Sequence, residues 1–204
     1  MKRNIAYALL LMPFLASCGG TRVIDTNNTR SVSNMSNVME LEFRDWERAA
    51  ENMTNSMMAS GAFTNAKKPV VIAIAGVTND TMQRFDTDIL VRKIRTTLIH
   101  SGKVRITTNF TGEDMTSQAV RNQRNNAEFD PSTIAGRGTL VAPSMSLSGR
   151  MMQRNFELHT CWFCARRERV EYYLQLALTD VRTGLSVWED VNPIIKEGRN
   201  APTW

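Results

Sequence analysis

The sequence predicts an α/β domain built as a mixed sheet with packed helices, and three observations lead there. An amphipathic stretch begins just after residue 40, a strand–helix–strand order follows it, and the last third alternates apolar with less apolar residues. The first gives a helix and the second a parallel crossover unit. The third gives antiparallel strands, so one sheet of mixed direction accommodates all of them.

Ahead of the domain, Lys2 and Arg3 precede an apolar run from Ile5 to Ala16 that ends in Leu15-Ala16-Ser17-Cys18. The run is about 12 residues, short of the roughly 20 that cross a bilayer as a helix. A basic start, a short apolar segment and small residues before a cut describe a secretory signal peptide over residues 1–17. Cys18 at that cut looks like the acylated cysteine of a bacterial lipobox; an ordinary signal peptide with an incidental cysteine is the alternative. Lipidation would anchor the chain to a membrane without spanning it. Residues 18–40 are rich in Asn, Ser and Thr and hold no helical or strand period, as in a flexible tether. Its r.m.s. span is roughly 26 Å and its taut limit about 75 Å.

Residues 41–204 form the single domain. Phe43, Trp46, Ala50, Met53 and Met57 make one apolar stripe at spacings of three and four, and Gly61 is placed to end that helix. Val70 to Ala75 is a solid apolar run, suited to a central strand covered on both faces and broken by Thr78-Asn79-Asp80. A second helix starts near Thr87, capped by Asp86 or Thr87, with Leu90, Val91, Ile94 and Leu98 inward. Gly102 closes it before the strand Val104 to Thr107. The stretch from Gly112 to Asn126 offers a helix only Met115, Ala119 and Val120 to bury. Asp130-Pro131 is a good helix start, for a short piece ending near Gly136 or Gly138. Val170, Tyr172, Leu174, Leu176 and Leu178 then alternate as a half-buried strand. Arg182-Thr183-Gly184 turns the chain into an antiparallel neighbour at Leu185 to Trp188. Ser144 to Leu158 could pair with the 166–181 strand, which puts Cys161 and Cys164 at a hairpin tip.

Three blocks in this order resemble the penicillin-binding protein activator lipoproteins of the LpoB family. They are Phe43-Arg44-Asp45-Trp46 with the Val70–Asn79 strand; Asp130-Pro131-Ser132-Thr133-Ile134-Ala135 through Ala142-Pro143 to Leu147-Ser148-Gly149; and Tyr173-Leu174-Gln175-Leu176 through Leu178-Thr179-Asp180, Thr183-Gly184 and Val187-Trp188-Glu189-Asp190. The resemblance implies a fold like the N-terminal domain of TolB, anchored to the outer membrane by lipid and facing the periplasm. It implies a partner, a bifunctional class A penicillin-binding protein, whose peptidoglycan synthesis the domain stimulates. Gly19 after the cysteine is compatible with outer-membrane sorting. The short, proline-free tether departs from the long proline-rich linker of well-known members, and the Cys161–Cys164 tip is outside the family pattern. A structural lipoprotein of an envelope assembly, such as a secretion or flagellar complex, is the alternative that a short tether suits.

Charge and motifs narrow the chemistry. Net charge is +5, and +3 without residues 1–17; no long Lys/Arg block points to nucleic acid, and a modest excess suits an acidic protein surface. Cys161-Trp162-Phe163-Cys164 has the spacing of a disulfide, of a redox dithiol and of half a zinc site. The exported compartment favours the disulfide, and His159 with two thiols supplies three zinc ligands where four are needed. Arg150, Arg154, Arg166, Arg167 and Arg169 surround that tip with Trp162 and Phe163. Arginine and aromatics of this kind serve as partner-binding anchors, or as a solvated strand face interleaved with Glu157, Glu168 and Glu171. Trp46 and Trp188 read as core anchors, His100 as a complement to a helix C-terminus, and Asp86 with Asp88 as first-turn acids. No nucleophile elbow, zinc-protease helix or phosphate-binding loop is present, so the sequence points to a non-enzymatic protein without a cofactor.

Overall fold

The computed structural model describes residues 39–64, 68–108, 114–158 and 167–198. The expected signal peptide, Cys18, most of the expected tether, Cys161, Trp162, Phe163, Cys164 and Arg166 lie outside the described residues.

Helix α1 is Phe43–Ala59, and strand β1 is Val70–Asp80. Helix α2 is Asp88–His100, β2 is Val104–Ile106 and α3 is Met115–Asn122, extended by a 3-10 turn over Gln123–Asn125. Three long strands complete the order: β3 Met145–Leu158, β4 Arg167–Asp180 and β5 Ser186–Gly198. They form one mixed sheet of order β2-β1-β3-β4-β5. β1 is parallel to β2 and β3, whereas β3–β4 and β4–β5 are antiparallel.

The core lies on one side of this sheet. The alternating side chains of β4, Val170 to Leu178, are all buried, as their period of two requires, and Leu147 and Met151 of β3 join them. Ala50, Met53 and Met57 of α1 and Leu90, Val91, Ile94 and Leu98 of α2 pack onto the same layer, with Trp188 of β5 closing it. Trp46 meets Phe85 edge-on, with ring centroids 4.4 Å apart. Phe43, the first member of the expected stripe, stays exposed. It precedes the helix's contact with the sheet, and Ala49 and Thr54 widen the buried face in its place.

Polar contacts fix how α1 lies along β5. Asp45 pairs with Lys196 at 2.6 Å, Asn52 donates to Asn192 at 3.1 Å, and Ser56 donates to Asp190. The helix residues ascend while the strand residues descend, so α1 runs against β5. Asp45 also accepts from the Glu42 N–H at 2.9 Å, completing a capping box. A surface pair, Lys93 with Glu47 at 2.6 Å, joins the two helices.

Several elements differ from the sequence expectation. β1 is covered on one face only: Ile72, Ile74 and Val77 are buried, but Val71 and Ala73 are half-buried and Ala75 is exposed. Both long helices pack on the same side, and among the described residues neither covers the other side. β1 also continues through Thr78-Asn79-Asp80, because Arg150, Met151 and Met152 of β3 pair with them and Arg150 meets Asp80 at 2.6 Å. The chain turns one residue later, where Asn79 accepts from the Thr81 N–H and donates to the Gln83 carbonyl. Gly76, at φ +106°, follows a register shift between Ile74 and Gly76 that other residues would strain to adopt.

Helix α3 forms through its cap, Asp114 accepting from the Ser117 N–H at 3.1 Å, and buries none of its residues; Met115 is 77% exposed. Asp130-Pro131 starts a single turn rather than a helix. Asp130 accepts from the N–H and hydroxyl of Ser132, and Gly136 and Gly138 follow with no apolar period for a helix to bury. β5 runs ten residues past Trp188, to Gly198, and carries Pro193, which an edge strand tolerates.

Candidate functional site: the open sheet face

Residues opposite one another in a sheet share a face, so the register of β3, β4 and β5 specifies what the side away from α1 and α2 presents. Met152, Tyr173 and Pro193 stand in one cross-strand row. Arg150, Gln175 and Val191 flank it on one side, and Arg154, Glu171 and Ile195 on the other. Beyond them come Phe156, Arg169 and Glu197, then Leu158 and Arg167. An apolar and aromatic centre thus lies between charged rows. Ile195 is 59% and Val191 44% exposed, large apolar surface that the domain itself does not cover.

The charged rows are held in fixed arrangements. The Tyr173 hydroxyl donates to Glu171, and that hydrogen bond, with burial and the Glu171 charge behind it, raises the phenol above its ordinary value; nearby Arg154 opposes the shift. The Arg154 guanidinium sits over the Phe156 ring, 5.2 Å from its centroid. Glu197 bridges Arg167 at 3.4 Å and Arg169 at 3.3 Å. Such surface pairs add little stability, but they restrict where these side chains stand.

Of the residues expected at a partner surface, Arg154 and Arg167 both fall on this open face. They stand about 13 Å apart along the hairpin, both on the Leu158 side of the Tyr173 row, Arg154 next to that row and Arg167 at the far end, so they do not form one cluster. Trp162, Phe163 and Arg166, and the Cys161–Cys164 pair, lie outside the described residues. Sequence reasoning missed Met152, Tyr173, Pro193 and Ile195. The signal was available: Tyr173 is a large amphipathic residue on the polar parity of β4, and a proline in a strand marks an edge.

This surface suits recognition of a protein rather than chemistry on a small molecule. Asp86 accepts from the Asp88 N–H at 2.9 Å, so that carboxylate pair is occupied with starting α2. Among the described residues no group of three or more His, Cys, Asp or Glu side chains could hold a metal ion, and no helix is long and apolar enough to cross a membrane. β3 to β5 offer a strip roughly 14 Å by 40 Å, about 600 Å². A standard interface uses about 800 Å² per partner.

Comparison with known proteins adds the following. A family model described as peptidoglycan-synthase activator LpoB matches residues 45–194. The LpoB C-terminal domain from Escherichia coli is 17% identical, with a TM-score of 0.45 over 74% of this chain and 98% of that one. The same domain from Salmonella enterica is 15% identical, with the same TM-score and coverage. Lipoprotein GNA1162 from Neisseria meningitidis is 11% identical, with a TM-score of 0.38 over 66% of this chain and 88% of that one. A search of curated proteins finds no match.

Proposed function

The chain belongs to the peptidoglycan-synthase activator LpoB family, and on that premise we propose that it is a non-enzymatic lipoprotein that binds a bifunctional class A penicillin-binding protein and stimulates peptidoglycan synthesis. The family match from the first helix to the last strand carries the reading. In this proposal residues 1–17 are removed, Cys18 takes the lipid, and residues 18–40 tether a single domain to the outer membrane, facing the periplasm. The domain's likeness to the N-terminal domain of TolB belongs to the same proposal.

The contact surface we assign is the open sheet face centred on Tyr173, with Arg154 in the next row and Arg167 at the Leu158 end; Trp162, Phe163 and Arg166 are assigned to the same partner contact. A disulfide between Cys161 and Cys164 would hold that extension in shape. Activation requires the domain to bind the active synthase more tightly than the resting one, by the same free energy that shifts the equilibrium.

The test is glycan-chain polymerisation by a purified class A synthase from the same cells, with and without the full chain. Stimulation that is lost on Tyr173→Asp, with the fold intact by circular dichroism, is the expected result. An unchanged polymerisation rate together with no capture of a synthase from solubilised membranes overturns the proposal. Capture of a ring or pore component instead moves the protein to an envelope assembly.

A further inference from the structure

A second recognition feature lies at the opposite side of the sheet, beyond β1. An open cleft of about 730 Å³ runs beside β2, within the size range of ligand sites. Val71, Leu140 and Val141 give it an apolar floor and wall, and Lys68 and Arg105 stand on it with the hydroxyls of Thr107 and Thr139. Leu140 and Val141 are 47% and 64% exposed, so large aliphatic side chains face solvent here.

The charge is one-sided. Among the described residues lining the cleft none is acidic, and the two cations, Lys68 and Arg105, are exposed. Neither Lys68 nor Arg105 belongs to an ion pair among the described residues. The hydrophobic wall suits the apolar side chains of a ligand, and the two positive charges favour one that carries negative charge.

The backbone adds direction. β2 ends the sheet order, so among the described residues no strand lies beyond it. The Val70 N–H donates to the Lys103 carbonyl at 2.9 Å, and the Thr107 N–H donates to the Ile72 carbonyl at 3.0 Å. In a parallel ladder alternate residues face the same neighbour, so Lys103, Arg105 and Thr107 turn toward β1. Val104 and Ile106 therefore aim their N–H and C=O groups away from it, along the outer edge beside the cleft. A strand added there would lay alternate side chains over the apolar wall and beside the cations.

We propose that this cleft is a strand-addition site for an extended acidic peptide segment of a partner protein. The site is separate from the Tyr173 surface and does not depend on the synthase reading. Its charge complementarity commits it to an acidic segment rather than a neutral or basic one.

The probe is a short fluorescein-labelled peptide alternating valine with glutamate, titrated into the full chain in detergent, alongside the same peptide with glutamine for glutamate. The acidic peptide is expected to bind, to weaken as salt rises, and to shift the amide resonances of Val104 and Ile106. The double charge reversal Lys68→Glu with Arg105→Glu is expected to weaken it roughly tenfold or more. Both side chains are exposed, so the reversal leaves the fold intact, which circular dichroism checks. Equal binding of the glutamine peptide, resonance shifts confined to the β3–β5 face, or unaltered affinity in the reversed variant would overturn the site. Inorganic phosphate reproducing the resonance shifts while the peptide leaves them unmoved would do the same, since the cleft would then be an anion site and not a strand site.

Discussion

Gly149 sits in β3 opposite Leu176, with extended backbone that any residue adopts, so its identity is decided by space. A Cβ built there falls 2.4 Å from Leu176 Cδ2, 2.9 Å from the Gln175 carbonyl oxygen and 3.1 Å from Val77 Cγ2. The leucine methyl can rotate away. The carbonyl belongs to a ladder bonded on both sides and cannot, and Val77 is nearly as tightly held. Replacing glycine by alanine in a strand gains roughly 0.5–1 kcal/mol from the unfolded chain, whereas overpacking a core costs about 1–3 kcal/mol. The second effect wins, and Gly149→Ala is expected to destabilise the domain by about 1–2 kcal/mol. Urea unfolding followed through tryptophan fluorescence measures it, because Trp188 is buried and Trp46 packs against the core. Adding Leu176→Ala should not restore stability, since the Gln175 carbonyl remains in the way and a cavity opens. An alanine variant as stable as the parent, with an unchanged urea slope, would refute the close-approach argument. Leu147-Ser148-Gly149 would then need another reason for its glycine.

Three further outcomes follow from the same structure. Lys196 and Asp45 are each mostly buried where α1 crosses β5, so Lys196→Met should cost on the order of 2 kcal/mol by chemical denaturation, and adding Asp45→Asn should recover part of it. The buried Tyr172 hydroxyl donates to the Met39 carbonyl at 3.1 Å; burial first, then the Glu40 and Asp45 charges, push its pKa up to about 12. The unfolded phenol ionises near 10 while the folded one keeps its proton, so stability contributed below pH 10 is lost as pH rises from 10 to about 12. Tyr172→Phe should flatten that alkaline slope, which denaturation at stepped pH reads directly. Asp180 accepts from the Thr183 and Arg182 N–H groups, chiefly the first, and these hold its carboxyl below the usual range. Its contribution is present at neutral pH and fades only as pH drops through that lowered value; Asp180→Asn should remove this acid dependence in thermal melts.

The resembling blocks became intelligible only when placed. Asp45 in the first block both caps α1 and anchors Lys196, and Asp190 in the last receives the Ser56 hydroxyl. Trp188 closes the core as expected, and Arg182-Thr183-Gly184 turns as expected, with Gly184 at φ +71° and its N–H on the Asp180 carbonyl. Asp130-Pro131 misled because a good helix start has no force without apolar residues spaced to reward the turns that follow. The β1 run misled for the converse reason: an all-apolar stretch states that burial is tolerated on both faces, not that both will be covered.

What the chain determined by itself is whatever repeats within a few residues. The stripe of α1, the inward set of α2 and the strict alternation of β4 each specify an element and a buried face, because backbone geometry converts spacing into direction. Packing partners decided the rest. Which side of the sheet received the helices, how far β5 continued past Trp188, where Asp45 met Lys196 and where the cleft beside β2 opened all depend on residues far apart in the chain. Local periodicity carries no record of such distant neighbours, and the exposed face around Tyr173 exists because both long helices took the same side.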